Sequence, residues 1–427
     1  MSRSLQIILA AALCLGAAAR ACARELSLAE ALRLAERNSP RLRAARLQTQ
    51  AAHEAVGVAE AGYAPAVSLD AADSWGFPGS SGALGLGGLV GSPYRSGAAA
   101  GLVARDVLFD FGRTYYGVKT AEDAEKLRRE GVEIDRYAVD QDILRTFYEC
   151  ARYRSEHEVW NGLHDETELV AKEVVRYVDT GQRSVVDRYL AQAQVEEART
   201  NRNYFKSRMD STVARLALLI GSADKDLTCP ALPDPQTAVP LSTAAAVNPY
   251  IRRAQDEVEL AHSLMNGAKT DYLPKIVGVA SVGTMQRARL VDRNDYSGGL
   301  GISVPLFDGL GTVRRVGRAR AELDAKTEEL SAVRLETDEA DARYDEIIDA
   351  SKARLEHLEH EQKLAEEGFR VAKNRYFKFQ GTLVDLRDAL RNMGRIETDM
   401  SDTRAKYLEA AGGKALLNGA WAAGADR

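Results

Sequence analysis

The sequence predicts a mixed α and β fold in which one unit of helix, two strands and a long helical hairpin occurs twice. The heptapeptide LFDFGRT at 108–114 returns 198 residues later as LFDGLGT at 306–312. A segment of alternating apolar and polar residues precedes each copy, and a long, charged, helix-forming segment follows it. An internal repeat of this kind makes each copy a supersecondary unit with the same architecture.

The first 23 residues predict a secretory signal peptide. An apolar run at 5–19 follows an arginine, and Ala21, Cys22 and Ala23 match a cleavage site with small residues. Acylation of Cys22 would instead make a lipoprotein, although an arginine two residues earlier fits such a site badly. The rest of the chain divides into a first repeat at 24–221, a Pro-rich linker at 222–247, a second repeat at 248–411 and a C-terminal tail at 412–427.

The first repeat begins with two helices and two strands. Ser27 caps the first helix with Glu30 three residues later, and Pro40 separates the first helix from the second. Apolar residues then alternate with polar ones from Tyr63, and a loop rich in Gly and Ser leads to AAAGLVARDVLF at 98–109. Each predicted strand has about ten residues, the length with which a tilted strand crosses a bilayer.

The helical hairpin of the first repeat is unusually long. From Arg113 to about Asp179 the chain is charged and free of proline, and after a break at Thr180 and Gly181 a second helix runs to Ile220. At about 1.5 Å per residue the first of these helices extends roughly 100 Å. Such a helix is too long for one globular domain.

The second repeat follows the same order. A helix at 248–269 leads to Tyr272-x-Pro274, which repeats the Tyr63-x-Pro65 strand start, and two more strands follow. A long helix then runs from about Val313 to Phe379, breaks near Gly381 and returns from 383 to 411. A heptad seam on the long helix predicts coiled-coil packing; its residues are Leu323, Leu330, Val333, Thr337, Ala340, Tyr344 and Ile347.

Four strands per chain predict a membrane protein of several subunits. Beyond the signal, no segment reaches the roughly 20 apolar residues of a membrane-spanning helix. Four strands cannot close a barrel, and each unpaired backbone group at an open edge costs several kcal/mol in lipid. The net charge of −5 and the absence of a basic patch argue against a nucleic-acid partner. No constellation of catalytic residues forms a known motif, so neither an enzyme, a cofactor nor a metal site is expected.

The segment LSLAEALRLAERNSPRLRAA, the two Tyr-x-Pro strand starts, the two LFD corners and the RY…G…D turns resemble the TolC family of outer-membrane efflux and secretion channels. The resemblance covers essentially the whole chain after the signal. It implies a homotrimer in which each chain gives four strands to a twelve-stranded outer-membrane β-barrel, continued by a long periplasmic α-helical barrel of coiled-coil hairpins. It also implies passive conduction to the exterior within a tripartite efflux or type I secretion system. The partners would be a periplasmic adaptor protein, an inner-membrane pump and outer-membrane lipid.

In that family the hairpin tips lie at the periplasmic end, where aspartates narrow the pore and a network of tyrosine, arginine and aspartate holds it shut. The resemblance gives this role to Tyr177, Arg183 and Asp187 in the first tip and to Tyr376, Asp385 and Asp388 in the second. It gives contact with the adaptor to Gly181, Ser184, Gly381 and Thr382. A ring built from Asp385 and Asp388 would attract cations. Alternatively, Asp187, Asp385 and Asp388 are acids favoured at helix N termini by the macrodipole.

The tips depart from the family pattern in two ways. Gly381 occupies the place in the second tip that corresponds to Arg183 in the first, and the spacing from the Arg-Tyr pair predicts a first tip that is one residue longer than the second. A different class of protein also stays open, namely a periplasmic coiled-coil structural or adaptor protein whose strands form a small soluble domain.

Two cysteines, Cys150 and Cys229, lie beyond the signal. A secreted chain enters a compartment that permits disulfides, and a bridge between them is conceivable. The sequence nevertheless favours two unpaired structural thiols.

Overall fold

The computed structural model describes residues 26–74, 97–222, 227–235, 248–287 and 291–419, so the predicted signal peptide and Cys22 lie outside the described residues. The first repeat contains α1 (Leu28–Asn38), α2 (Pro40–Glu60), β1 (Ala66–Ser74), β2 (Gly97–Phe109), α3 (Arg113–Asp179) and α4 (Val185–Ile220). The second contains α5 (Pro249–Lys269), β3 (Lys275–Arg287), β4 (Val291–Ser303), α6 (Gly311–Phe377) and α7 (Leu383–Leu417). None of the helices within these ranges is long and apolar enough to cross a membrane.

The chain forms two compact units, and each draws residues from both repeats. The first unit contains residues up to Arg43, Ile134–Asn248 and the chain from Glu336 onwards. The second contains Ala44–Glu133 and Pro249–Leu335. The hairpin tips therefore belong to the first unit and the strands to the second.

The predicted helix cap and helix break near the start of the first repeat are confirmed. The Ser27 hydroxyl accepts a hydrogen bond from the backbone N–H of Glu30 at 3.2 Å, and Pro40 is the first residue of α2. The amide of Asn38, the last residue of α1, donates to the carbonyl of Ile220 at 2.8 Å. This bond satisfies a carbonyl that the end of α4 would otherwise leave unpaired.

A core cluster joins α1, α3, α4 and α7 in the first unit. Its buried members include Leu32, Leu144, Phe147, Leu216 and Leu416. The predicted end of the last helix at Ala411 is wrong, because α7 continues to Leu417. Gly412 and Gly413 are packing residues rather than helix breakers. A Cβ on either glycine would lie 2.7 Å from a side-chain carbon, of Leu144 in the first case and Tyr344 in the second.

The described part of the linker is covalently attached to α3. Cys150 and Cys229, 79 residues apart, form a disulfide, and the Arg154 guanidinium donates to the Cys229 carbonyl at 2.8 Å. The preference for unpaired thiols is therefore wrong. The Pro-rich segment folds back on the middle of α3 and so brings the two cysteines together. Their distance in the sequence gave no indication of this contact.

The strands form one antiparallel sheet in the order β1-β2-β3-β4. Leu69 pairs with Leu102, Leu102 with Val282, and Val282 with Tyr296, so these four side chains share one face. All four are exposed. At these positions the face of the sheet is thus apolar, and no described residue of the chain covers it.

The opposite face carries small and buried side chains. Val103 and Ser281 are a register pair on this face, and both are buried. Gly101 pairs with Gly283, and a Cβ on Gly101 would lie 2.8 Å from the Gly283 Cα. Only glycine permits the two backbones to approach so closely here.

Each LFD motif is a corner between a strand and a long helix, as predicted. Asp110 Oδ2 accepts from the N–H of Thr114 at 2.8 Å, and Asp308 Oδ2 accepts from that of Thr312 at 2.7 Å. Two consecutive residues at each corner have positive φ, and one of each pair is a glycine: Phe111, Gly112, Gly309 and Leu310.

The long helices α3 and α6 contain 67 residues each. The first residues of α3 and α6 are 198 positions apart, like the two LFD motifs, and so are the last residues of the two helices. On α6 the predicted heptad residues Leu323 and Leu330 are half-buried in the single chain, and Ile347 is 39% exposed. Coiled-coil packing along this seam stays a prediction.

One buried carboxyl group in the first unit has no obvious structural role. Glu156 is 2% exposed, and its Oε1 lies 3.8 Å from Arg152 Nη1. Its Oε2 has no hydrogen-bond partner in the described part of the chain. Burial raises the pKa of Glu156 from 4.5 to about 7, with Arg152 lowering it and Asp402 raising it to smaller extents.

Glu156→Gln is expected to stabilise the protein at pH 8. Because the folded-state pKa lies above the ordinary value, the folded chain binds the proton more tightly than the unfolded chain, and stability falls as pH rises from 4.5 towards about 7. Removal of this penalty should raise the unfolding free energy by about 2 kcal/mol at pH 8 and by much less at pH 4.5. Thermal melting in detergent at both pH values measures the difference. Glu356→Gln, at an exposed position of α6, is the control, and a gain independent of pH would contradict the assignment.

Candidate functional site at the hairpin tips

Both hairpin tips have the same backbone plan. Four residues, 180–183 and 378–381, separate the helix end from the N-cap residue, which is Ser184 in one tip and Thr382 in the other. The left-handed residue of the turn is Gly181 in the first tip, with φ 74°, and Phe379 in the second, with φ 63°. Equivalent positions in the two tips are therefore again 198 residues apart.

This equivalence shows that Tyr177 and Tyr376 do not occupy equivalent positions in the two tips. Arg183 does correspond to Gly381, as predicted, but the prediction of a longer first tip is wrong. The Arg-Tyr pair itself is displaced by one residue, so Tyr376 corresponds to the buried Val178 and Tyr177 corresponds to Arg375. The two tyrosines therefore project from different sides of their helices.

Tyr376 is the largest fully buried side chain among the described residues, with 0% exposure. Its hydroxyl donates to Asp187 Oδ2 on α4 at 3.0 Å. Burial, followed by the hydrogen bond to Asp187, raises the pKa of Tyr376 well above its ordinary value of 10. The phenol therefore stays protonated and remains a donor across the physiological range.

Arg183 holds the same tyrosine from another side. Its Cζ lies 4.3 Å from the centroid of the Tyr376 ring and 5.0 Å from that of Phe379. It also donates to the backbone carbonyl of Tyr376. Arg183, Asp187, Tyr376 and Phe379 together form a contact set that we call the tip lock, and it joins the two hairpins of one chain.

Apolar packing supports the lock from the side of the helices. Tyr376 belongs to a buried cluster with residues of α3, α4 and α7, namely Val170, Val174, Val178, Ala191, Leu383 and Leu386. Since these side chains exclude water from the Tyr376 ring, its hydrogen bond to Asp187 is stronger than a surface contact would be.

Tyr177 takes no part in an aspartate contact in the described residues. It is half-buried and packs edge-on against Phe379, with ring centroids 5.2 Å apart. It also packs against Phe377, with tilted rings whose centroids are 6.1 Å apart. The structure thus brings Arg183, Asp187 and Tyr376 together and places Tyr177 beside them as an aromatic neighbour.

Asp385 and Asp388 are both exposed on the first turns of α7. Asp385 and Thr382 form a reciprocal capping box, in which the Thr382 N–H donates to Asp385 Oδ2 at 3.1 Å and the Asp385 N–H donates to Thr382 Oγ1 at 3.2 Å. The hydrogen bonds from Thr382 lower the pKa of Asp385. Asp388 forms an ion pair with Arg387 at 2.8 Å. Asp385 therefore stabilises the N terminus of α7, as the interpretation of the aspartates as helix N-terminal acids expects. Because its side chain is exposed, it is also accessible to ions in solution.

The predicted adaptor-contact residues have distinct local roles. Nothing lies within 4 Å of a Cβ built on Gly181, so its left-handed backbone, rather than close packing, requires glycine. Gly381 has no positive φ; a Cβ there would lie 3.3 Å from the Arg375 Cβ. The Ser184 hydroxyl accepts from the N–H of Val186 at 3.2 Å.

Sequence reasoning missed Phe379. Non-glycine residues with positive φ are uncommon, so no propensity places a phenylalanine at this turn. Arg183 in the first tip is a signal that could have pointed to Phe379. A guanidinium group that is partly buried needs aromatic faces or hydrogen-bond acceptors around it, and Phe379 is an aromatic residue of the other tip.

Comparisons with known proteins agree with this architecture. The model of the family described as outer membrane efflux protein matches residues 31–222 and 241–413. Protein CyaE of Bordetella pertussis is 27% identical over 356 residues, which cover 78% of this chain and 71% of CyaE. The nickel-cobalt-cadmium resistance protein NccC of Alcaligenes xylosoxydans xylosoxydans is 29% identical over 164 residues, 37% of each chain.

A solved structure extends the likeness to the fold. The outer membrane protein VceC of Vibrio cholerae superposes with a TM-score of 0.77 at 18% identity, covering 91% of this chain and 95% of VceC. The predicted fold class, a four-stranded sheet continued by long helical hairpins in a two-fold repeat, is confirmed. The chain belongs to the outer membrane efflux protein family and is an outer-membrane channel protein of that family.

Proposed function

We propose that three copies of this chain form one closed channel, each giving four strands to a twelve-stranded barrel and its hairpins to a periplasmic tube. The observation that carries this proposal is the single sheet with one exposed apolar face and two edge strands, β1 and β4, that pair with no further strand among the described residues. In lipid, the backbone groups of β1 and β4 need partners, and identical neighbours supply them. A soluble periplasmic coiled-coil protein, the alternative, fits neither this face nor the family match.

The channel conducts passively, without catalysis of its own, between an inner-membrane pump and the exterior. A periplasmic adaptor protein meets it at the hairpin tips, at Gly181, Ser184, Gly381 and Thr382. The tip lock keeps the two hairpins of each chain together and the pore narrow. Asp385 and Asp388, repeated by symmetry, form an acidic constriction at the same level.

Assembly is tested on protein extracted from outer membranes with a mild detergent. An unheated sample should migrate in electrophoresis as a trimer that boiling converts to the monomer. A water-soluble monomer would overturn the proposal.

Asp385→Asn with Asp388→Asn is expected to weaken block of single-channel current by hexaamminecobalt(III). Loss of two carboxylates per chain reduces attraction for a trivalent cation, and the half-blocking concentration should rise at least about tenfold. Asparagine keeps the acceptor that caps α7 through Thr382, so the helix start is preserved.

The matched control is Asp338→Asn with Glu359→Gln, which removes the same charge from exposed positions of α6 away from the tip. Block unchanged in the tip variant, or equally weakened in the control, would reject the acidic constriction.

A further inference from the structure

The apolar face of the sheet continues to the corner before α6. Leu300 and Ile302 at the end of β4 are 75% and 72% exposed, and Leu306 and Phe307 in the corner are 92% and 82% exposed. If this face lies in lipid, as the proposed function requires, the hydrocarbon boundary falls close to the corner.

Exposed aromatic side chains mark the same level at the other junctions between strands and helices. These are Tyr63, Phe109, Tyr115 and Tyr272. Aromatic rings, tyrosine above all, favour the headgroup layer because they combine an apolar body with a polar edge. The first turns of α6 therefore emerge through the headgroups.

Those first turns are strongly basic. Arg314, Arg315, Arg318 and Arg320 all precede Glu322, which is the first acid of α6. Two of them are held by carboxylates: Arg315 Nε lies 3.1 Å from Asp271 Oδ2, and Arg318 Nε lies 2.7 Å from Glu322 Oε1.

Arg314 and Arg320 differ from these two arginines. Both are exposed, and neither guanidinium has an ion pair or hydrogen bond within the part of the chain that the structure describes. Two free guanidinium groups thus lie directly beyond an apolar and aromatic band.

Their distances along the helix match the membrane surface. At 1.5 Å per residue, Arg314 lies about 5 Å and Arg320 about 14 Å beyond Gly311. The headgroup layer is roughly 5–8 Å thick, and charges interact over a Debye length of about 8 Å at physiological salt. Arg314 therefore reaches the headgroups themselves, and Arg320 lies within electrostatic range of them.

We propose that Arg314 and Arg320 bind the phosphates of anionic phospholipids at the periplasmic surface of the membrane. The inference rests on the proposed function, since it places the sheet in the bilayer. The planar guanidinium presents paired donors that match phosphate oxygens, and an adjacent anionic lipid surface supplies the countercharge that the chain itself does not.

Native mass spectrometry of the full-length trimer in a neutral detergent tests the proposal. The trimer is titrated with dioleoylphosphatidylglycerol or dioleoylphosphatidylcholine. We expect wild type to prefer the anionic lipid, and Arg314→Gln with Arg320→Gln to weaken its binding about 25-fold, at roughly fivefold per arginine. Binding of phosphatidylcholine should not change.

Arg334→Gln is the matched control, because Arg334 is also exposed on α6 and lies about 35 Å beyond its start. Equal phosphatidylglycerol affinity in wild type and the double variant would overturn the inference, as would an equal loss in the control. The single variants replace the double one if it fails to assemble. If the protein is a heat-sensitive trimer that shows no lipid preference, this inference alone is overturned. If the protein is a soluble monomer, the proposed function is overturned.

Discussion

Channels that carry Tyr376→Phe together with Arg183→Gln should conduct far more current than wild type. Tyr376→Phe removes the hydroxyl that donates to Asp187 at 3.0 Å, and Arg183→Gln removes the cation from the faces of Tyr376 and Phe379. A hydrogen bond to a charged group contributes about 1.5–3 kcal/mol and a cation–π contact about 0.5–2 kcal/mol.

The combined loss of about 3 kcal/mol per chain shifts an equilibrium between closed and open tips by roughly 150-fold. Single-channel recording in planar bilayers measures the conductance and the open fraction. Tyr177→Phe is the matched control, since Tyr177 packs against the same phenylalanine without an aspartate partner in the described residues. Wild-type conductance in an intact trimer of the double variant would show that the lock does not gate the pore.

Cys150→Ser with Cys229→Ser should lower the unfolding free energy by about 4 kcal/mol. The disulfide spans 79 residues of sequence, and the unfolded chain gains the corresponding loop entropy when the bond is absent. Thermal melting of the detergent-solubilised protein, with and without a reductant, measures this effect. Reductant should lower the melting temperature of wild type and leave the double variant unchanged.

Arg154→Gln serves as the control for this prediction. It removes the hydrogen bond to the Cys229 carbonyl while the disulfide remains. Its smaller destabilisation should still respond to reductant. If wild type melts at the same temperature with and without reductant, the bridge does not stabilise the fold.

Local chemistry made most of the fold predictable. Pro40 separates α1 from α2, and Asp110 and Asp308 cap the long helices at the repeated corners, because each effect depends on a few neighbouring residues. The prediction ended the last helix at Ala411, before the glycines at 412–413, whose packing depends on Leu144 and Tyr344, which are distant in sequence.

The site was predicted less completely than the fold. The resemblance supplied Arg183, Asp187 and Tyr376, which the structure brings into contact. It did not supply Phe379, and it treated Tyr177 as comparable to Tyr376. Only the three-dimensional register shows that one residue of displacement puts the two tyrosines on different sides of their helices.

That displacement limits the symmetry between the two hairpin tips. The two halves of the chain are near copies, yet the buried phenol of the lock comes from the second hairpin, and the first hairpin provides its acid and its guanidinium. In the proposed trimer, a ring of six hairpins would therefore carry this lock at the three junctions that lie within chains. A substitution in the lock would act at those three junctions together.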